Sequence, residues 1–385
     1  MISALLPRQA LSYSLGECLK LLQSNSFKNL SDLGLRAKHC IVLVKSQDSF
    51  MQFICTSQGA IDLQINGALG VAFNNLQGDR AEKLPEICRF LYQQGLDGFM
   101  PTLVTAPMEQ LRRSLFYLAQ AIAQQKQNPQ PRQAQILGVH LEGPFLHPDK
   151  RGAHPLQHLL PLDLERLQQI LDGYTDIIKI VTLAPELDPS GATIKYLRDR
   201  QIIVSAAHST ATAAQMQMAI AQGVTMITHA FNAMPSLHHR DVGLLGAAIL
   251  NDQVWCGLIA DGVHVSAQMV KLLYRMTNKI FLVSDALAPL GLADGNYPWD
   301  DRPITIKNGT ARLPDGTLSG TTVPLLDMVN NLCQWQICSA EQAINLAIVA
   351  PRLAMNMPST SHRLAWYQAA TGDIVWKNLP PEHRK

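Results

Sequence analysis

The sequence predicts an α/β chain built on a TIM (β/α)8-type barrel, and three observations carry that prediction. Short apolar runs rich in β-branched residues alternate with helix-like segments through the middle of the chain. The side chains best suited to chemistry fall at or just past the C-terminal ends of those runs, the face on which such barrels assemble their sites. No run is followed by the GxGxxG turn that an open dinucleotide-binding sheet needs.

The runs are ILGVHLEG (136–143), IIKIVTLAPE (177–186), IIVSAAHS (202–209), TMITHAFNA (225–233), WCGLIADGVH (255–264) and KIFLVSDA (279–286). Apolar stretches of this length read as strands buried on both faces, as parallel strands covered by helices are. Between two of them, STATAAQMQMAIAQG (209–223) opens on Ser/Thr capping candidates, continues in good helix formers and stops at Gly223. The ends differ from the middle. SLGECLKLLQSNSF has helical periodicity, and HCIVLVKSQDSFMQFICTS reads as strand and turn. Near the C-terminus AEQAINLAIVAPRLAMNM reads as a helix, and RLAWYQAATGDIVWKNL as a hairpin turning at its TGD. The expected organisation is a barrel over 58–345, with 1–57 and 346–385 joining in a small β-sandwich-like domain.

Composition narrows the class. With 385 residues, 47% hydrophobic and 16% charged, the chain is globular and long enough for a large core. The net charge is +2 and the basic residues are scattered, so nothing favours nucleic acid as a partner. The longest apolar stretches, such as LLGAAIL (244–250), are too short to span a membrane. Seven cysteines with no CxxC pair argue against a disulfide framework or a thiolate zinc site, and fit the reducing cytoplasm. The opening MISALLPRQALSYSLG lacks the charged head, apolar run and cleavage site of a signal peptide.

Glu142, His208, His229, His264 and Asp285 all stand at run ends. Glu142, His208 and His229 are ligand types that a Zn²⁺-like ion takes, and three protein ligands leave a fourth position open for water. They are far apart in sequence, so only strand ends would gather them. A lone His at a strand end is more often an ordinary hydrogen-bonded residue, and spacing alone leaves both readings open. His147, His158, His238 and His239 lie in loop-like stretches and read as ordinary loop residues.

Seven stretches in order carry a resemblance: GAIDLQINGALGVAFN, GVHLEGPFLHPDKRGAH, AAHSTAT, THAFNAMPSLHHRDVGLLGA, LIADGVHV, LVSDALAPLG and DGTLSGT. From about residue 59 to 325 the chain resembles the N-acetylglucosamine-6-phosphate deacetylases of the amidohydrolase superfamily. The resemblance implies a TIM barrel beside a small β domain, a homodimer, and an amino-sugar phosphate as ligand. It makes Glu142, His208 and His229 the ligands of one divalent metal ion, for which Zn²⁺ suits and Fe²⁺, Co²⁺ or Mn²⁺ would also serve. Asp285 becomes the general base and then acid toward a metal-activated water, in the hydrolysis of the N-acetyl amide to acetate and an amine. Ala153 and His154 would face the sugar and its acetyl group. His264 would approach the substrate, reaching in from a second subunit, while Asn232, Ala233 and Arg240 would bind the phosphate. Leu318, Ser319 and Gly320 match a turn that lines the substrate.

Two features qualify the resemblance. Where many amidohydrolases carry His-x-His on the first strand, this chain has Gln64 and Asn66. Neutral amides are poor ligands for a transition metal, so these two read as hydrogen-bonding neighbours of a single ion. The first 55 residues match poorly, and Ser57-Gln58-Gly59 replaces the usual Pro-Gly entry to the barrel. A related hydrolase acting on the galactosamine isomer, or a sugar-phosphate binder without activity, are the alternatives. Asp285 argues against the binder, which needs no proton shuttle.

Overall fold

The computed structural model describes residues 59–357 throughout, together with the backbone of strands Tyr13–Ser14, His39–Ser46, Ser49–Thr56, Leu364–Gln368 and Ile374–Asn378. Residues 15–27 of the helix-like SLGECLKLLQSNSF, and the TGD turn, lie outside the described residues.

Eight parallel strands run side by side in chain order: β1 (Ala60–Ile65), β2 (Leu96–Val104), β3 (Val139–Glu142), β4 (Ile178–Leu183), β5 (Ile203–Ala206), β6 (Val224–Ile227), β7 (Trp255–Leu258) and β8 (Ile280–Leu282). The ring closes where the last strand meets the first. The Asp285 N–H donates to the Gln64 carbonyl at 2.9 Å, and the Asn66 N–H donates to the Ala286 carbonyl at 2.7 Å. The six apolar runs read from the sequence supply β3 to β8, so the predicted TIM-type barrel is the observed one. No run had marked β2. It carries Gly98 and Pro101 in LDGFMPTLV, residue types that strands usually avoid. Gly98 allows a close approach there, because a Cβ would stand 2.7 Å from the Leu137 side chain and displace it.

Helices cover the outside of the strands. The segment after β5 forms a helix over Ala213–Gln222 with a reciprocal capping box between Thr212 and Gln215, and stops at Gly223 with φ 136°. The helix Ala340–Ala354 begins at a second capping box, Ser339 with Gln342, and packs on β1 and β8. Inside the barrel, one pleat below Glu142, lies a small polar layer. His140 Nε2 is 2.7 Å from the Thr182 hydroxyl, which is 2.7 Å from that of Thr228, itself 2.6 Å from the Ser205 hydroxyl. Burial pushes the His140 imidazole down to about 4, so it is neutral there and links strands without adding charge.

Besides a two-stranded hairpin of Gly67–Ala68 with Val71–Ala72, two larger sheets stand apart from the barrel among the described residues. One is a four-stranded antiparallel sheet (Gly295–Pro298, Pro303–Lys307, Thr310–Arg312, Leu318–Thr321) inserted after β8, which the sequence analysis had not separated from the barrel. Its last strand returns to the barrel mouth, where the Leu287 N–H donates to the Thr321 carbonyl at 2.8 Å. The other draws on both chain ends. His39–Ser46 pairs antiparallel with Ser49–Thr56, which pairs with Leu364–Gln368, and that strand forms the expected hairpin with Ile374–Asn378. No helix among the described residues is long and apolar enough to cross a membrane.

Candidate metal centre and active-site cavity

Strand order converts sequence separation into contact. Glu142 ends β3, His208 follows β5 and His229 follows β6, so three neighbouring regions of the barrel aim their side chains at one point. Glu142 Oε1 is 3.3 Å from His208 Nε2 and 2.9 Å from His229 Nε2, and the two Nε2 atoms are 3.0 Å apart. All three residues are buried, and one ligand atom from each lies within 4.8 Å of the others.

The protonation chemistry tests whether this trio fits a cation. His208 Nδ1 lies 2.8 Å from the Lys150 carbonyl, which only accepts, so the proton sits on Nδ1 and the Nε2 lone pair faces inward. That lone pair meets a carboxylate oxygen and a second imidazole nitrogen. Three electron-pair donors this close repel unless extra protons or a positive ion lie between them. A divalent cation takes all three lone pairs at once, and Glu, His and His are a donor set such ions accept. Burial alone would raise the Glu142 carboxyl, but His208 and His229 outweigh it and hold it well below the usual range. His229 moves the other way: burial lowers its imidazole, and Glu142 more than compensates. The trio fits a divalent cation.

The backbone here is held in an uncommon state. His208 (φ 48°), His229 (φ 33°) and Asp285 (φ 47°) all adopt left-handed conformations that non-glycine residues seldom take. Such positions cost about 1–3 kcal/mol each and persist only where surrounding structure fixes them. Of the eleven described non-glycine residues with positive φ, these three stand at the barrel mouth together with Phe231 and Ala233.

Asp285 sits opposite Glu142, joined to it through amides. Asn66 Nδ2 donates to Asp285 Oδ1 at 2.7 Å. Gln64 Nε2 lies 3.2 Å from the same oxygen and 3.3 Å from both oxygens of Glu142. Burial and the Glu142 carboxylate together push the Asp285 carboxyl up to about 6. His154 stands beside His208, with ring centroids 4.5 Å apart. Its Nδ1 accepts from the Thr105 N–H at 3.4 Å and lies 2.8 Å from the Thr105 hydroxyl, which leaves the ring proton on Nε2. Burial, then His208, push His154 down to about 3, so it is a neutral donor. His264 Nδ1 is 2.7 Å from Asp261 Oδ2, fixing that ring as well.

These groups share a cavity of about 610 Å³, a size suited to a small polar ligand. Three buried polar atoms of residues that line it, Asn66 Oδ1, His229 Nδ1 and Ser319 Oγ, have no hydrogen-bond partner. Unpaired groups of this kind are costly, and a ligand that bonds to them relieves the cost.

Comparison with known proteins places this arrangement. Over 303 residues the chain is 36% identical to the N-acetylglucosamine-6-phosphate deacetylase of Bos taurus, an alignment covering 76% of this chain and 72% of that one. The crystal structure of the N-acetylglucosamine-6-phosphate deacetylase from Thermotoga maritima superposes with a TM-score of 0.73 at 31% identity, covering 83% of this chain and 85% of that one. The chain belongs to the N-acetylglucosamine-6-phosphate deacetylase family. An N-acetylgalactosamine-6-phosphate deacetylase from Escherichia coli O157:H7 is also similar, 31% identical over 76% of this chain and 75% of that one. No family model matches the chain.

Within this family fold, the cavity gathers most of the residues singled out from sequence. Asn66, Glu142, Ala153, His154, His208, His229, Asn232, Ala233, His264, Asp285, Leu318, Ser319 and Gly320 all line it. Gln64 lies just beneath, against Glu142 and Asp285. His264, expected near the substrate, lines the cavity of its own chain. Arg240 is the exception. It is exposed on the loop after Met234, its Nη1 2.9 Å from His239 Nε2, and it does not line this chain's cavity. His158, read from sequence as an ordinary loop residue, does line it. Sequence reasoning also missed Thr105, which fixes His154, and Trp299, Asp300 and Asp301 from the inserted sheet. Nothing local in the sequence marks Thr105. The inserted sheet was foreshadowed only by its last strand, in DGTLSGT.

Proposed function

We propose that this chain hydrolyses N-acetylglucosamine 6-phosphate to glucosamine 6-phosphate and acetate. The observation that carries the reading is the buried Glu142, His208 and His229 trio facing Asp285 across Gln64, in a cavity of a chain that belongs to this family.

Glu142, His208 and His229 would hold one divalent cation, with Zn²⁺ the best match to the donor set and Fe²⁺, Co²⁺ or Mn²⁺ also compatible. When bound, such an ion polarises the amide carbonyl and eases deprotonation of water. The protein supplies the rest. Asn66 and Gln64 occupy Asp285 Oδ1, which directs proton transfer to Oδ2. Asp285 takes a proton from the attacking water as its oxygen bonds to the acetyl carbon. The carbonyl oxygen becomes negative, and the Nε2–H of neutral His154 is suited to stabilise it. Asp285 then returns the proton to nitrogen as the C–N bond breaks, releasing acetate and the amine. A carboxyl near pH 6 suits both roles near neutrality.

His264, Asn232, Ala233 and residues Leu318–Gly320, which stand on the last strand of the inserted sheet rather than in the expected turn, form the remaining wall against the sugar phosphate. The proposal keeps the homodimer that the resemblance implies, in which Arg240, exposed and outside its own chain's cavity, would serve the phosphate of a neighbouring site. The reading divides the chain at 1–57, 58–345 and 346–385, with strands of the outer segments forming the small β domain, although helix Ala340–Ala354 crosses the second boundary and packs on the barrel. Free Cys88, Cys256, Cys333 and Cys338 support a reducing, cytoplasmic setting.

The test is acetate release by purified protein. N-acetylglucosamine 6-phosphate is compared with its unphosphorylated form and its galactosamine isomer, with chelated and reconstituted samples and Asp285→Asn alongside. Removing the proton shuttle is expected to lower kcat by about 10²–10⁴ with the fold intact. Chelation is expected to abolish activity, with restoration by the best-matched metal. Faster release from the galactosamine isomer would reassign the substrate, and no release from any of the three by a metal-loaded parent would overturn the reading.

A further inference from the structure

The inserted four-stranded sheet touches the cavity through the turn that joins its first two strands. The turn is closed by the Trp299 N–H donating to the Arg302 carbonyl at 3.1 Å. Within it, Arg302 Nε donates to Asp300 Oδ1 at 2.9 Å, Nη2 pairs with Oδ2, and the Arg302 backbone N–H donates to Oδ1 at 2.8 Å. An ion pair this exposed adds little stability of its own. It does fix a planar guanidinium in one orientation, and that orientation sends Nη2 to the Ala153 carbonyl at 2.7 Å, across 149 residues of sequence. The next residue is His154.

A second contact reinforces the first. The Ala153 side chain packs, with Tyr297 and Trp299, against the sheet's own apolar core of Leu287, Ile304, Ile306, Ala311 and Leu313. On the loop's inner side, Gly152 takes φ 58°, and a Cβ there would meet the His208 ring at 3.4 Å. The His154 N–H donates back to Arg151 at 3.0 Å. Residues 151–154 are thus held between a ligand imidazole on one side and the sheet on the other, with Arg302 as the polar fastening.

We infer that Arg302 is a positioning residue: its guanidinium, oriented by Asp300, fastens the tip of the inserted sheet to the loop that carries His154 and so fixes that imidazole against the substrate. The inference rests on the proposed deacetylase reading for its catalytic consequence, but its structural part does not. Asp300 orients the donor and does not touch Ala153, so its removal loosens the guanidinium without removing it. Lysine at 302 keeps one donor of suitable length and loses the fork.

The test combines kinetics with hydrogen exchange on the metal-loaded enzyme. Arg302→Ala is expected to lower kcat/KM at least tenfold, because small misplacements of a positioning group are expensive in rate. Arg302→Lys is expected to recover most of the loss, and Asp300→Asn to fall between. Amide exchange is expected to quicken in 150–155 with the barrel strands unchanged. Unaltered kcat/KM in Arg302→Ala overturns the inference, as does failure of lysine to rescue. Equal quickening of exchange throughout the barrel also overturns it, since that marks a general loss of stability. The exchange experiment needs no substrate, so a parent that releases no acetate sinks the deacetylase reading while the fastening is still judged by exchange.

Discussion

At the scale of single residues, the cavity floor is governed by where protons and charges are allowed to sit. Asp62 illustrates the cost. Its Oδ1 accepts from the Gln64 and Ser284 N–H groups, each at 3.2 Å, while Oδ2 is buried with no partner. Burial pushes this carboxyl up to about 7. The folded state therefore binds the proton more tightly than the unfolded state does. That contribution to stability is fully present below about pH 4 and lost as pH rises through about 7, a change of up to about 4 kcal/mol. Asp62→Asn keeps the oxygen acceptor and removes the charge. Urea unfolding between pH 5 and pH 8 is expected to show a smaller fall in stability for the variant than for the parent. Equal slopes would mean that Asp62 is ionised in the fold without penalty.

The elements place these residues by bringing strand ends together, and some glycines exist only to let backbones approach. Gly320, in the last strand of the inserted sheet, has φ 80°, and a Cβ there would stand 2.7 Å from the Asp285 carbonyl oxygen. That carbonyl accepts from the Thr321 N–H at 3.0 Å, so the strand and Asp285 are joined at this point. Gly320→Ala carries about 1–3 kcal/mol of backbone strain and also displaces Asp285. It is expected to lower the Tm and to reduce kcat more than tenfold. Gly316→Ala is the control, with φ 87° but no atom within 4 Å of the added carbon. It is expected to lower the Tm by a similar backbone effect and leave kcat unchanged. If both variants retain kcat, the contact between Gly320 and Asp285 does not position the carboxylate.

Across the whole molecule, one buried cation ties the start of the barrel to its final helix. Arg352, on Ala340–Ala354, donates from Nη1 to the Gly59 carbonyl at 2.8 Å and to the Ile348 carbonyl at 2.7 Å. Its Nη2 lies 3.6 Å from Asp97 Oδ2. Burial lowers the guanidinium to about 10, still charged at neutral pH. Breaking a buried charge contact of this kind typically costs about 3–5 kcal/mol. Arg352→Leu is expected to unfold at markedly lower urea concentration while the folded fraction keeps the parent kcat, because the contact lies far along the strands from the metal centre. A loss of kcat without loss of stability would contradict that separation.

Much of this protein was legible in its residues. Burial on both faces leaves a parallel strand nowhere to put polar groups except its ends, so six apolar runs announced β3 to β8 and pointed to Glu142, His208, His229 and Asp285. Motif strings located the family and most of the cavity wall. β2 escaped because Gly98 and Pro101 interrupt its strand-like pattern, and the close packing against Leu137 that Gly98 allows is not recorded in local propensity. Only the tertiary structure decided which side chains touch. Thr105 on His154, Gln64 between two carboxylates, and Arg302 on Ala153 are contacts across the ring or between sheets, and their partners lie tens to hundreds of residues away. It also decided that Arg240 stands outside its own cavity and that His158 stands inside it. The division has one physical cause. Periodicity and strand-end chemistry are written in neighbouring residues, whereas the protonation and orientation of each group depend on neighbours supplied by closure of the barrel.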